Sequence, residues 1–190
     1  MRAASVHIVG GRITRVSAYD DVAGDADITN AGNAIVMPGV VDTHVHVNEP
    51  GRSEWEGFDT ATHAAAAGGV TTILDMPLNS IPATTTVDAL RTKREAARGK
   101  TIVNVEFIGG VIPGNTDQLE PLAKAGVRAF KCFLAPSGVD EFPAIGEREL
   151  REALPALART GLPLMVHAED PARLLASPEN GSRSYADFLA

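Results

Sequence analysis

From Val40 onward, short apolar runs alternate with longer amphipathic ones, and that alternation leaves the chain very few folds. Residues 40–47, 70–75, 102–108, 127–132 and 164–167 are short and rich in Val and Ile, as strands buried on both faces are. Between them, residues 58–67, 87–98, 116–125 and 147–160 read as helices. Gly68-Gly69, Gly126 and Gly161 stand where left-handed helix stops belong, and Thr86 where an N-cap belongs. Pro155 marks a point where the fourth helix can kink. Five strands joined by four helical crossovers imply a parallel sheet, either doubly wound or closed into a barrel. The first strand–helix loop, HVHVNEPGRSEWEG, lacks the glycine-rich phosphate turn of a dinucleotide fold. Its polar groups come straight off the strand end, as they do where several strands of a barrel converge on one site. The expected fold is therefore an incomplete (β/α)8 TIM barrel. A full barrel takes roughly 250 residues, so about five of its eight strands fit here and three strand–helix units do not.

Before Gly39 the pattern differs. Residues 5–9 and 12–17 are β-type runs split by Gly10-Gly11, which predicts a hairpin. Further strand-like pieces fall at 26–28 and 34–37, and Pro38-Gly39 then punctuates the chain. A boundary there separates a small β region, residues 1–38, from the barrel portion, residues 39–190. The net charge of −7 argues against nucleic acid, whose binding rests on Lys and Arg. The richest apolar stretch, residues 64–77, is interrupted by two Gly, two Thr and Asp75, so no membrane span is expected. The N-terminus carries no long apolar segment of a signal peptide, and the single Cys132 fits a reducing cytoplasm. There is no G-x-S-x-G elbow, Walker A loop or G-x-G-x-x-G fingerprint.

Three strand ends carry residues with chemistry. His44 and His46 lie two apart on the first strand and so share one face. They are either a pair of imidazole ligands for a borderline metal such as zinc or two unrelated polar residues at a strand end. Asp42 shares that side, and either orients an imidazole or bonds local backbone. Lys131 ends the fourth strand and faces the barrel mouth if Phe130 and Cys132 face away. Burial there would leave a neutral, nucleophilic amine; the alternative is a lysine reaching to water. His167 ends the fifth strand. A shared site at the mouth explains all three placements economically. His7 reads as a surface strand residue, His63 as a helix residue and Cys132 as a small buried one. Glu49, Glu54 and Glu56 read as a solvated acidic loop with salt links available to Arg52, and Glu169 as supporting or loop structure.

MPGVVDTHVHVNEPG, GGVTTILDMP, FKCFLAPSG and MVHAED, in that order, resemble the cyclic amidohydrolases: dihydroorotases, hydantoinases, dihydropyrimidinases and allantoinases. The resemblance implies that residues 1–38 are part of a small β-sandwich region. It implies a centre of two divalent metal ions, zinc by analogy, ~3.5–4 Å apart as in two-metal sites generally. His44 and His46 would hold the more buried ion, His167 the second, and Lys131, carbamylated by CO2, would bridge both. Water activated between the ions would attack the ring carbonyl, with an Asp from the last barrel strand moving the proton. The family also requires a His after the sixth strand. No His follows His167 and strand eight would lie past Ala190, so the 190 residues alone are expected to be truncated and catalytically inactive.

Dihydroorotases meet a substrate carboxylate with an Arg two residues after the His-x-His, where this chain has Asn48. A neutral amide suits a neutral ring. DMPLNSIPATTT and FKCFLAPSGVDEFP are most similar to allantoinase loops, which implies ring opening of allantoin to allantoate in purine catabolism. Asn48 and Asn79 are the candidates for contacts to the ring, with loop structure as the alternative. A hydantoinase, dihydropyrimidinase or dihydroorotase-like activity is the second reading. A barrel homologue without catalysis, or a truncated partner subunit, is the third. The resemblance further implies a homotetramer.

Overall fold

Two successive glycines build the first turn. Gly10 and Gly11 take φ of 57° and 75°, the two left-handed positions of a type I′ hairpin turn. They join β1 (Ser5–Val9) to β2 (Arg12–Ser17) in antiparallel register from Ser5 opposite Ser17 to Val9 opposite Arg12, with a bulge between His7 and Ile8. The computed structural model describes residues 2–169 and 184–188. It divides into two compact units, Met1–Pro38 and Gly39–Ala190. In the first, the expected strands at 26–28 and 34–37 do not form. Each is preceded by a local turn instead, with Ala26 N–H donating to Ala23 O and Ala34 N–H to Ala31 O. A strand needs a neighbour to take its backbone groups, and neither segment has one among the described residues.

The second unit is a five-stranded parallel sheet in the order β3 (Val40–Val45), β4 (Val70–Asp75), β5 (Asn104–Gly110), β6 (Ala129–Phe133) and β7 (Leu164–His167). Helices α1 (Phe58–Ala67), α2 (Val87–Ala97), α3 (Leu119–Lys124) and α4 (Glu147–Thr160) connect them in turn; α5 (Tyr185–Phe188) follows. Strands stand side by side in chain order with no reversal. A doubly wound sheet reverses its order midway, so this is the succession of a (β/α)8 barrel, five of its eight strands.

Side chains alternate across the sheet as period 2 requires. Ile73, Phe107, Phe130 and Cys132 join Phe58, Leu90, Leu122 and Leu157 in the layer between strands and helices. Ile108, Ala129 and Phe133 join Met76, Leu78 and Phe142 on the other face. At ~25 cal/mol per Å2 of apolar area removed from water, these two layers supply the main force holding the sheet.

Strand bounds shift by up to two residues, and two elements show why. The third barrel strand runs to Gly110 rather than ending at residue 108. Its glycines do not break it; the Phe130 ring lies 2.8 Å from where a Cβ on Gly109 would sit, and Phe142 occupies the place of one on Gly110. The third helix is shorter than 116–125: a 3-10 turn (Thr116–Gln118) precedes α3. Pro121 has no N–H to give the preceding turn, which suits it to the first turn of α3, where that N–H would have no partner within the helix. The fourth helix runs unbroken through Pro155 and ends at Gly161 with φ of 69°. Thr86 caps α2, its hydroxyl oxygen accepting from Ala89 N–H at 3.1 Å. No helix among the described residues is long and apolar enough to cross a membrane.

Candidate active site

Parallel pairing brings the C-terminal ends of β3, β6 and β7 to the same edge of the sheet, and with them the singled-out residues. His44 lies in β3 and His46 just beyond it; their rings are 5.4 Å apart, centre to centre, tilted at 42°. The His46 backbone is fixed from both sides. Val45 O accepts from Met76 N–H at 2.8 Å, and Val47 N–H donates to Asp75 Oδ1 at 2.8 Å. The His46 ring nitrogen Nδ1 lies 2.8 Å from Asn79 Oδ1. Withdrawal from water holds the His46 pKa below the usual histidine range; the Asn79 bond opposes this, while His44, Lys93 and Lys131 add repulsion. Asp42 Oδ1 accepts from His44 N–H at 3.1 Å, the local-backbone alternative for that residue.

Lys131 is buried on the inner face with Ala129 and Phe133, while Phe130 and Cys132 pack toward the helices. Its Nζ lies 4.8 Å from the centre of the Phe133 ring. Burial pushes the Lys131 pKa down, because the ammonium loses water without gaining an anion; the Cys132 thiol is pushed up for the same reason. The other face of this cluster is His167, opposite Phe133 in the β6–β7 ladder and stacked on it at 4.7 Å and 12°. Phe133 therefore bridges Lys131 and His167, a contact that sequence reasoning missed although residues 131 and 133 share a face by parity. Glu169 Oε1 lies 3.3 Å from His167 Nε2.

The surrounding loops correct one expectation. Glu49 is not solvated: it is buried, pairs with Lys100, and its Oε2 accepts from Phe58 N–H at 3.0 Å at the start of α1. A carboxylate there answers the positive end of the helix. Arg52 does not pair within its own loop but with Glu141, at 3.0 and 3.2 Å to the two carboxylate oxygens. Glu54 is exposed, and Glu56 accepts from Thr60 Oγ1. Asn48 is buried, with backbone bonds to Glu56 O and from Arg52 N–H. His63 lies on α1, bonded to Asp59 O, and His7 on β1, bonded to Ser17 Oγ.

A second group the sequence reading overlooked is the ion pair Asp75–Lys93. Both side chains are almost fully withdrawn from solvent, with Lys93 Nζ 2.5 Å from Asp75 Oδ2 and 3.0 Å from Met76 O. Burial raises the Asp75 pKa to about 6, although Lys93 and Val47 N–H pull it down. The available signal was Lys93 itself, a lysine on the stripe that α2 buries with Leu90 and Ala97.

Among the described residues no three His, Cys, Asp or Glu side chains gather into a metal-holding group. The donor chemistry nonetheless suits divalent metal: paired imidazoles, a third at a neighbouring strand end, and a buried amine whose burial favours the neutral form. A model of the Amidohydrolase family matches residues 35–181. The chain belongs to that family. It is 53% identical over 190 residues to the allantoinase of Streptomyces avermitilis, covering all of this chain and 43% of that protein. It is 51% identical over 165 residues to the allantoinase of Saccharomyces cerevisiae, covering 86% and 36%. The L-hydantoinase (dihydropyrimidinase) of Arthrobacter aurescens superposes with a TM-score of 0.77 at 32% identity, covering 89% of this chain and 38% of that one. The chain thus spans about two fifths of the length of these amidohydrolases.

Proposed function

We propose that this chain is the metal-holding portion of an allantoinase, which opens the ring of allantoin by hydrolysis to give allantoate. The observation that carries the proposal is the gathering of His44, His46, Lys131 and His167 at one edge of a parallel sheet, in a chain 53% identical to an allantoinase. His44 and His46 would hold one divalent ion, His167 a second, and Lys131, as its carbamate, both; zinc is the proposed metal. When bound, such ions polarise the scissile carbonyl and lower the pKa of water toward ~7. Residues 1–38 would be part of a β-sandwich region and 39–190 the front of the barrel.

The chain's own residues prepare this chemistry. Burial of Lys131 increases the fraction of neutral amine, and it is this form that adds to CO2, forming an N–C bond and releasing a proton. The carbamate would replace a one-nitrogen amine with a two-oxygen anion. Phe133, in contact with both Lys131 and His167, would confine that group. Asn48 offers a neutral amide to a neutral ring, and Asn79 keeps its NH2 for the same purpose while its carbonyl oxygen faces His46. The family's remaining His and proton-transferring Asp belong to strands after β7, so the 190 residues alone would be inactive. Work in a reducing cytoplasm and assembly as a homotetramer are the accompanying proposals.

The test is a substrate panel on the complete polypeptide that contains these residues: allantoin, 5-substituted hydantoins and dihydrouracil. Fastest opening of allantoin supports the proposal. Faster opening of dihydrouracil or a hydantoin reassigns the substrate, and turnover of allantoin by the 190-residue chain at the full rate overturns the division of labour. Absence of bound metal with no turnover favours a barrel homologue without catalysis.

A further inference from the structure

Asn79 adopts φ of 76° and is the one non-glycine in the left-handed region among the described residues. Such a backbone is tolerated best by Asn and Asp among side-chain-bearing residues, and it persists where surrounding contacts hold it. Here they do. Arg52 Nη1 donates to Asn79 O at 3.0 Å, and the other guanidinium nitrogen is gripped by both oxygens of Glu141. The loops after β3, β4 and β6 are thereby tied at one point. From it the Asn79 side chain reaches His46, whose backbone is itself fastened by Met76 N–H and Asp75 Oδ1.

The atoms in that contact decide a chemical question. An amide oxygen has lone pairs and no proton, so Oδ1 at 2.8 Å from Nδ1 requires the proton on Nδ1. In a neutral imidazole the lone pair is then on Nε2, the nitrogen left free to bind. We infer that Asn79 is a positioning residue that selects the Nδ1–H tautomer of His46, with Arg52 and Glu141 holding Asn79 in place. The use of that lone pair for metal rests on the function proposed above; the selection of the tautomer does not. Were the amide turned over, its NH2 would donate to Nδ1 and select the opposite tautomer, so the inference makes a definite chemical claim.

The experiment is long-range 1H–15N correlation NMR on the complete polypeptide that contains these residues, histidine-labelled and metal-free, in mildly alkaline buffer, with His46→Gln assigning the signals. The expected result is a pyrrole-type Nδ1 and a pyridine-type Nε2 for His46. Asn79→Gly keeps the left-handed backbone without strain and removes the acceptor, so the Nδ1–H preference should be lost. Asn79→Asp retains an acceptor oxygen and should restore it, a rescue that a merely structural role would not give. Titration with zinc alone supplies a second reading: Asn79→Gly should bind about 10–100-fold more weakly, the usual cost of removing a partner of a metal-bound His, and Asn79→Asp should not. An Nε2–H tautomer in the parent chain, or an unchanged tautomer in Asn79→Gly, overturns the inference. If the complete parent polypeptide shows the expected tautomer but binds no zinc, the metal reading fails and the tautomer assignment stands.

Discussion

Breaking the Asp75–Lys93 pair from either side should have unequal effects. Lys93 is fully buried, and its ammonium has two recorded partners, Asp75 Oδ2 and Met76 O. Asp75→Asn removes the anion paired with Lys93 and leaves a buried cation beside a neutral amide, a change that costs about 3–5 kcal/mol. For a chain of this size each kcal/mol lowers Tm by about 2–4 °C, so a loss of roughly 6–20 °C is expected. Lys93→Met removes the cation instead. Asp75, whose pKa burial already raises to about 6, then keeps its proton at neutral pH and still accepts from Val47 N–H. That variant should lose only about 1–3 kcal/mol, the cost of an imperfectly satisfied polar group. The double variant Asp75→Asn/Lys93→Met has no buried charge and should be more stable than Asp75→Asn alone. Urea denaturation followed by circular dichroism measures all four proteins. A double-variant loss equal to the sum of the single losses, within about 0.5 kcal/mol, would refute the argument that the two charges act as a pair.

Three further outcomes follow from other contacts. The same elevated Asp75 pKa makes the folded chain bind more protons than the unfolded one between the ordinary 3.8 and about 6, so stability should fall as pH rises through that window. The fall should total about 3 kcal/mol and disappear in the double variant; a denaturation series rising across that range contradicts it. Gly110→Ala would drive a methyl into Phe142 and Thr85, costing about 1–3 kcal/mol; an unchanged urea midpoint would mean the rings move aside freely. With zinc and 13C-labelled bicarbonate, the parent chain should give a carbamate carbonyl signal that Lys131→Met abolishes, and its persistence in that variant would place the modification elsewhere.

The barrel portion was legible because its information is local. The strand–helix alternation, the glycine stops at Gly69 and Gly161 and the Thr86 cap each depend on residues a few positions apart, and each appears where the spacing put it. Parity carried further: Lys131 faces inward because Phe130 and Cys132 face the helices. Local signals failed where the partner was distant or missing. The apolar run at 34–37 has strand composition, yet Ile35, Val36 and Met37 are exposed and unpaired in the sheet sense, since composition cannot supply a neighbour. The strand expected to end at residue 108 continues through Gly109-Gly110, where two aromatic rings approach it.

The least legible part is the polar scaffold under the site, and the reason is geometric. Arg52 and Glu141 are separated by 89 positions, His46 and Asn79 by 33, Lys93 and Met76 by 17. Nothing in either partner's neighbourhood announces the other; only parallel pairing, which stacks successive strand–helix loops at one edge, makes them neighbours. Glu49 illustrates the consequence. In sequence it is one of three acids in a polar loop, but folding sets it against the start of α1 and Lys100, where it is buried and bonded. The strand-end residues His44, His46, Lys131 and His167 could be singled out because strand ends are recognisable one at a time. The groups bonded around them could not, because those bonds exist only as contacts between loops, and a polar residue in a loop has the same composition whether it meets water or another loop.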